Sequence, residues 1–251
     1  MDWQNLSPAR RAVVTGVGTG IGRAIAERLL DDDWEILGVY NTSAGEAQQL
    51  ADESSSVELL KADLSSQAGV ERVIDAAGPA GAQALVNNAG IVEFEKPGSF
   101  TADQWRKTFE VNLFAPVALA FALGARMESG SGIVNITSTD SLRGSYSSAA
   151  YAASKAALAN ATQSLANILG PKGVRVNAVS PGWILTSMAD LAAEHAEALT
   201  PLGRLGSTAE VAAGVSWLLS EEAAFVHGST LTADGGLINV DYVLLKESQE
   251  N

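Results

Sequence analysis

Short runs of apolar and β-branched residues alternate along the chain with longer segments in which apolar residues recur at helical spacing. The short runs predict seven strands, at 12–15, 36–40, 57–61, 84–87, 132–137, 174–179 and 229–233. The longer segments predict helices at 22–30, 44–53, 67–77, 102–126, 150–169 and 208–219. Strands that are separated by helices pair in parallel, with the helices covering both faces. The pattern therefore predicts an α/β fold with a doubly wound parallel sheet of about seven strands.

Glycine and proline fall at the junctions between these elements, and the chain contains no linker run, low-complexity tract or repeat of solenoid period. The chain has 251 residues, of which 47% are hydrophobic, so it can bury a large core. We expect one domain over residues 10–239, preceded by a short extension at 1–9 and followed by a tail at 240–251.

Charge and cysteine content exclude several classes of function. Asp and Glu number 29 against 16 Lys and Arg, a net charge of −13 that repels polyanions, so we expect no nucleic-acid partner. The absence of cysteine excludes disulfides, cysteine nucleophiles and thiolate metal sites. The start carries no apolar signal core, and the longest apolar stretch, 113–125, is short and contains Pro116 and Gly124. We expect a soluble cytoplasmic protein without a membrane segment.

The segment TGVGTGIG, residues 15–22, lies between the first predicted strand and the first predicted helix. Glycine permits a sharp turn with positive φ and a close approach of the backbone to a ligand, while the helix start offers free N–H groups to an anion. By itself the glycine cluster is equally consistent with an ordinary tight turn, but its position between a strand and a helix favours dinucleotide binding. The candidate residues are Thr15, Gly16, Gly18, Thr19, Gly20, Ile21 and Gly22.

The end of the second predicted strand bears on the choice of cofactor. An acidic residue there favours the free 2′-hydroxyl of NAD(H) and repels the 2′-phosphate of NADP(H). This chain has Asn41, Thr42 and Ser43 instead, which can all donate hydrogen bonds to a phosphate. The turn therefore favours NADP(H) over NAD(H), although it lacks Arg and Lys. The alternative is a plain polar turn in which Ser43 caps the next helix.

Tyr151 and Lys155 are four residues apart and therefore share one face of a predicted helix. An ammonium about 4 Å from a phenolate, at an effective dielectric near 20, stabilises it by roughly 4 kcal/mol, or about three pKa units. We therefore expect the pKa of Tyr151 to lie near neutrality. Ser138 ends the fifth predicted strand, where its hydroxyl could meet the helix. Singly, these residues would be interpreted as a surface pair and a turn serine.

Together these motifs resemble the short-chain dehydrogenase/reductase family in its compact form. Within it they are most similar to the 3-oxoacyl-[acyl-carrier-protein] reductases and the general carbonyl reductases. The resemblance covers about residues 10–239. It rests on residues 15–22, Asp63 and Leu64, Asn87 to Gly90, Asn112, Ser138, Tyr151 with Lys155, Asn177 to Gly182 with Thr186, and Asp234 to Gly236.

The resemblance implies a role for each matched residue. Tyr151 would be the general acid and base, Lys155 would hold the nicotinamide ribose and tune Tyr151, Ser138 would bind the substrate oxygen, and Asn112 would anchor a water molecule. The further cofactor contacts it implies are Asp63, Leu64, Asn88, Ala89, Gly90, Pro181, Gly182, Ile184 and Thr186. It also implies a homo-oligomer, a tetramer or a dimer, in which the tail at 240–251 either packs at an interface or frays.

The sequence thus favours an NADP(H)-dependent enzyme that interconverts a small-molecule ketone and a secondary alcohol. One alternative is an NAD-dependent dehydrogenase of sugars, polyols or sterols. Another is a regulatory protein that binds the cofactor without turnover. Such a protein would be expected to lack one of the Ser, Tyr and Lys residues, and this chain has all three. We expect no metal, because His195 and His227 lack ligand spacing, and no serine triad, because no Gly-x-Ser-x-Gly elbow occurs.

Overall fold

The computed structural model describes residues 10–79, 81–96, 98–186 and 193–249. Seven strands in these ranges form one sheet in the order β3-β2-β1-β4-β5-β6-β7, and every neighbouring pair is parallel. The strands are β1 Arg10–Thr15, β2 Trp34–Tyr40, β3 Val57–Lys61, β4 Ala84–Asn87, β5 Gly132–Ile136, β6 Arg175–Pro181 and β7 Thr230–Ala233. The prediction of a doubly wound parallel sheet with about seven strands is confirmed. The expected extension at 1–9 lies outside the described residues.

Ten α-helices occur in the described ranges. They are α1 Gly20–Asp31, α2 Ala44–Glu53, α3 Gln67–Ala76, α4 Ala102–Phe109, α5 Ala115–Gly124, α6 Asp140–Arg143, α7 Ala149–Leu169, α8 Ala193–Leu199, α9 Thr208–Leu219 and α10 Tyr242–Gln249. The sequence pattern did not predict α6, α8 or α10. These three are short, at 4, 7 and 8 residues, and offer too few turns for a periodic pattern to be recognised.

The helix predicted at 102–126 is divided by a π-helical turn at Glu110–Phe114. Within this turn the N–H of Ala115 donates to the carbonyl of Glu110, five residues earlier. Pro116 follows directly, and because it has no N–H it cannot continue the regular ladder at that point. The combined segment 102–124 is long and apolar enough to span a membrane, but half of its apolar 18-residue stretch is buried inside the protein.

Alternation along the strands builds a core on each face of the sheet. On β1, Val13 packs in one hydrophobic cluster, while Ala12 and Val14 pack in the other. The first cluster is closed by residues from α3, α5 and α7, and the second by residues from α1, α2 and α9. The strand order runs outward in opposite directions from β1 and β4, and a crevice for ligands is expected at the carboxyl ends of these strands.

Candidate active site

The glycine-rich turn joins β1 to α1 at this edge of the sheet. Gly16 and Gly20 adopt positive φ values of 77° and 58°. A Cβ atom on Gly22 would lie 2.0 Å from the carbonyl oxygen of Gly16, so only glycine fits there. Thr19 is the N-cap of α1, and its side chain makes no capping hydrogen bond. The first N–H groups of α1 therefore remain available to an anion.

The segment after β4 is bonded directly to this turn. The Oγ1 of Thr15 accepts hydrogen bonds from the N–H groups of Asn88 and Ala89, both at 3.0 Å. The Nδ2 of Asn88 donates to the carbonyl oxygens of Thr15 at 3.0 Å and Gly16 at 3.3 Å. These bonds bring the residues predicted from the ends of β1 and β4 into one rigid corner.

The turn after β2 lies against the same corner. A Cβ atom on Gly18 would come within 2.5 Å of the Cβ of Ser43, so Ser43 touches the glycine-rich turn. Asn41 and Thr42 are exposed beside it. Ser43 occupies the N-cap position of α2, as the alternative interpretation of this turn predicts, but its side chain makes no capping hydrogen bond.

Asp63 and Leu64 follow β3, the outermost strand on this side. The Oδ1 of Asp63 accepts bonds from the N–H and the hydroxyl of Ser65, at 3.0 and 2.8 Å, and these bonds lower the pKa of Asp63. Leu64 is buried in the hydrophobic core, so its side chain is not available to a ligand. A contact of Leu64 with a cofactor would have to use its backbone, and the roles of both residues stay predictions.

Pro181 and Gly182 close the other side of the crevice at the end of β6. The carbonyl of Pro181 accepts from the N–H of Thr139 at 3.0 Å, and the N–H of Gly182 donates to Ala233 at 3.0 Å. Beyond them Ile184 pairs with Gly206 as an isolated β-bridge. The Cγ2 of Thr186 lies 3.4 Å from the position of a Cβ on Gly20, so this segment passes over the start of α1.

The predicted catalytic residues meet where β5 ends. Tyr151 lies on the first turn of α7, and Lys155 lies one turn later. The Nζ of Lys155 is 5.7 Å from the centroid of the Tyr151 ring and donates to the carbonyl of Ile136 at 2.7 Å. The Ser138 hydroxyl accepts from the N–H of Asp140 at 3.2 Å and also interacts with the Tyr151 phenol.

Burial controls the protonation of this pair. Desolvation raises the pKa of Tyr151 to about 12, partly offset by the Ser138 hydroxyl and reinforced by the Asp140 carboxylate. Burial also lowers the pKa of Lys155 to about 8. The expectation that the pKa of Tyr151 lies near neutrality is therefore wrong for the ligand-free protein. That expectation placed the two charges about 4 Å apart and did not include the loss of hydration that both groups undergo on burial.

Asn112 lies in the π-helical turn and is fully buried. Its Oδ1 accepts from the N–H of Ile91 at 2.9 Å, while its Nδ2 donates to the carbonyl of Ile91 at 2.9 Å and to the Ser154 hydroxyl at 3.0 Å. The side chain thus ties the loop after β4 to α7. The backbone carbonyl of Asn112 would normally bond the N–H four residues later, but that residue is Pro116, which has none.

Two acidic residues at the site were missed by sequence reasoning. Burial raises the pKa of Asp140, and Arg143 at 3.8 Å opposes that shift. The position of Asp140, two residues after Ser138 at a strand end, could have indicated it. Glu95 contacts the start of α7 across 54 residues of sequence, and no local pattern reveals such a pairing.

No group of three or more His, Cys, Asp or Glu side chains that could hold a metal ion occurs in the part of the chain that the structure describes. His227 bonds to the N–H of Val176 at 3.1 Å and the carbonyl of Ala166 at 2.9 Å, which is a structural role. The side chain of His195 lies outside the described residues.

Comparison with known proteins identifies relatives over nearly the whole chain. A family model described as enoyl-(acyl carrier protein) reductase matches residues 16–238. A 3-oxoacyl-[acyl-carrier-protein] reductase of Vibrio harveyi is 33% identical over 91% of this chain and 97% of its own length. A 2-dehydro-3-deoxy-D-gluconate 5-dehydrogenase of Bacillus subtilis is 34% identical over 92% and 95%.

A solved structure gives the same result for the fold. A short-chain dehydrogenase from Burkholderia cenocepacia J2315, crystallised in complex with NADP, superposes with a TM-score of 0.88 at 34% identity, covering 92% of this chain and 98% of that one. The matches extend over nearly the whole glycine-rich turn, sheet and catalytic helix. This chain belongs to the short-chain dehydrogenase/reductase family of oxidoreductases.

Proposed function

We propose that this protein is an NADP(H)-dependent oxidoreductase that interconverts a ketone and a secondary alcohol of a small-molecule substrate in the cytoplasm. The observation that carries the proposal is the convergence of Ser138, Tyr151 and Lys155 after β5, at the same edge of the sheet as the glycine-rich turn. An intact and assembled set of this kind favours turnover over the alternative of a cofactor-binding regulator.

The residues at the crevice fit a nicotinamide dinucleotide. A Cβ atom at Gly16, Gly18 or Gly22 would collide with neighbouring protein atoms, so glycine at these positions keeps the turn tight. The uncapped start of α1 offers N–H donors to a pyrophosphate. Asn41, Thr42 and Ser43 would bond the 2′-phosphate, and the relative crystallised with NADP supports this preference. When bound, the nicotinamide supplies the hydride chemistry.

Tyr151 would handle the proton of the reaction. With a pKa of about 12 its phenol is protonated at neutral pH and can donate to the oxygen of a ketone during reduction. The Ser138 hydroxyl would hold the same oxygen, and the Lys155 side chain would face the ribose. Proton delivery of this kind contributes about 10² to 10⁴ in rate. In the oxidative direction Tyr151 must act as a base, which requires its pKa to fall when ligands bind.

A dehydrogenase of a sugar acid or polyol is the second candidate. The Bacillus subtilis relative is as similar to this chain as the Vibrio harveyi reductase is. The half-buried Asp140 carboxylate near Tyr151 could accept hydrogen bonds from substrate hydroxyls. Such a substrate class would use the same proton chemistry.

The test is turnover of a panel of 3-oxoacyl thioesters, simple ketones and keto sugar acids, followed by the absorbance of the reduced cofactor. Tyr151→Phe should lower kcat at least about 10²-fold and change cofactor affinity by less than about twofold, because only the proton donor is lost. Tyr146→Phe is the matched control, since Tyr146 is fully exposed. Turnover by Tyr151→Phe near that of the unmodified protein would contradict the proposal.

We also propose that the protein is a homo-oligomer, a tetramer or a dimer. A groove of about 330 Å³ runs between α5 and α7, and none of its lining residues is charged. Phe114, Phe121 and Ile168 line it while remaining about half exposed. A neutral apolar face suits contact between copies of a chain whose net charge is −13.

Sedimentation velocity tests the oligomer. Phe121→Asp should lower the mass in solution, because it puts a charge into the groove. Phe225→Asp should leave the mass unchanged, since Phe225 is fully exposed away from the groove. A monomeric unmodified protein at micromolar concentration would rule the proposal out.

A further inference from the structure

A carboxylate from the loop after β4 caps the helix that carries Tyr151. The Oε2 of Glu95 accepts from the N–H of Ala149 at 2.7 Å, and its Oε1 accepts from the N–H of Ala150 at 3.2 Å. The backbone N–H of Glu95 donates to the carbonyl of Ser147 at 2.7 Å. Two hydrogen bonds therefore fasten this loop to the first turn of α7, directly before Tyr151, and a third fastens it to Ser147, just before the helix begins.

The cap is not supplied by the helix's own segment. Ser148 occupies the N-cap position but makes no side-chain capping bond. Its hydroxyl instead pairs with that of Ser145 at 2.7 Å. The Glu95 carboxylate thus satisfies two of the N–H groups that a helix start leaves free, and its negative charge suits the positive end of the helix dipole.

The other end of the same loop is attached to the cofactor side of the crevice. Ile91 is held through both of its backbone groups by the side chain of Asn112. Asn88 and Ala89, just before it, are bonded to Thr15. The loop from 88 to 95 therefore links the glycine-rich turn to the start of α7 by a chain of hydrogen bonds.

We propose that Glu95 is a positioning residue, whose carboxylate fixes the first turn of α7 so that the Tyr151 phenol faces Ser138. This inference rests on the proposed function. Tyr151 follows Ala150 directly, so any rotation or fraying of this turn displaces the phenol. A displacement of about 1 Å can cost about 10²-fold in rate, even when the change lies away from the reacting atoms.

Glu95→Gln tests the proposal in the full chain. The substitution keeps the shape of the side chain, but its amide has one acceptor oxygen instead of two, and its NH₂ cannot accept from a backbone N–H. We expect the amide hydrogens of Ala149 and Ala150 to exchange at least about tenfold faster in the ligand-free protein, and kcat to fall about 10- to 100-fold. Affinity for the reduced cofactor alone should change by less than about twofold, because Thr15 and Asn112 still make their hydrogen bonds to the segment 88–91.

Asp103→Asn is the matched control. Asp103 is also an acidic residue in the first turn of a helix, but its carboxylate is exposed and its described partner is Arg106 on the same helix. This variant should keep the exchange rates at α7 and kcat of the unmodified protein. Glu95→Asp keeps both acceptor oxygens, so its kcat should lie between those of Glu95→Gln and the unmodified protein.

Each other outcome overturns the positioning role. Unchanged exchange in Glu95→Gln would mean that the cap is not formed in solution, and faster exchange with unchanged kcat would mean that it does not orient Tyr151. Equal losses of kcat and cofactor affinity, or Glu95→Asp no better than Glu95→Gln, would indicate a general structural role. Absence of turnover by the unmodified protein would defeat the proposed function instead, while the exchange comparison would still test the cap.

Discussion

The Nζ of Lys155 lies 5.7 Å from the centroid of the Tyr151 ring and donates its hydrogen bond to the carbonyl of Ile136 rather than to the phenol. The two side chains share a helix face, as their spacing predicts, but both are desolvated. Burial disfavours phenolate and ammonium alike. The pKa of Tyr151 therefore moves away from neutrality, and the pKa of Lys155 moves towards it.

Ultraviolet titration of the ligand-free protein should therefore detect no Tyr151 phenolate below about pH 10, because burial raises the pKa of Tyr151 to about 12. The signal is the difference in phenolate absorbance between the unmodified protein and Tyr151→Phe. A difference that appears between about pH 6 and 8 would restore the expectation drawn from sequence spacing.

Stability should depend on pH through Lys155. Its pKa is about 8 in the folded protein, against 10.5 as the ordinary value. Between these two values the unfolded chain binds the proton and the folded protein does not, so the free energy of unfolding rises with pH in this window. Below about pH 8, Lys155 is charged in the folded protein, and the unfavourable free energy of burying its ammonium lowers stability in full. Replacement by methionine removes this dependence.

The measurement is urea unfolding of the unmodified protein and Lys155→Met at several pH values. The free energy of unfolding of the unmodified protein, relative to Lys155→Met, should increase as pH is raised from about 8 to about 10.5. Methionine fills a similar volume without a charge. A relative stability that falls or stays constant over this range would show that Lys155 titrates normally.

Gly18→Ala should weaken cofactor binding at least about tenfold, because the added Cβ would lie 2.5 Å from the Cβ of Ser43 and must push the two turns apart. Gly45→Ala is the control, since a Cβ on Gly45 meets nothing within 4 Å. Fluorescence titration with reduced cofactor measures both. Equal affinities in the two variants would mean that the close approach of Ser43 does not shape the site.

Asn41→Asp should shift the cofactor preference towards NAD(H). A carboxylate at the end of β2 repels a 2′-phosphate, so we expect the KM for NADPH to rise at least about tenfold while the KM for NADH stays constant or falls. Asn41→Ala separates the loss of a donor from the gain of a charge. A preference of the unmodified protein for NADH, or an equal effect of Asn41→Asp on both cofactors, would refute the NADP(H) proposal.

Features that lie within a single strand, helix or turn of this chain could be predicted from neighbouring residues. Each strand is recognisable from a few apolar residues, and glycines mark the turn between β1 and α1 because a larger side chain would not fit there. The division of the helix at Glu110–Phe114 was missed, although Pro116 was visible, because an apolar segment of this length conceals a single widened turn.

The sequence by itself determined the α/β fold, the family, the glycine-rich turn and the placement of Tyr151 and Lys155 on one helix face, because short-range periodicity and backbone sterics are written in neighbouring residues. Only the tertiary structure decided the pKa of Tyr151 and the partner of Lys155, since desolvation depends on everything packed around a group. The tertiary structure also revealed the contact of Glu95 with α7, because a hydrogen bond across 54 residues leaves no local pattern.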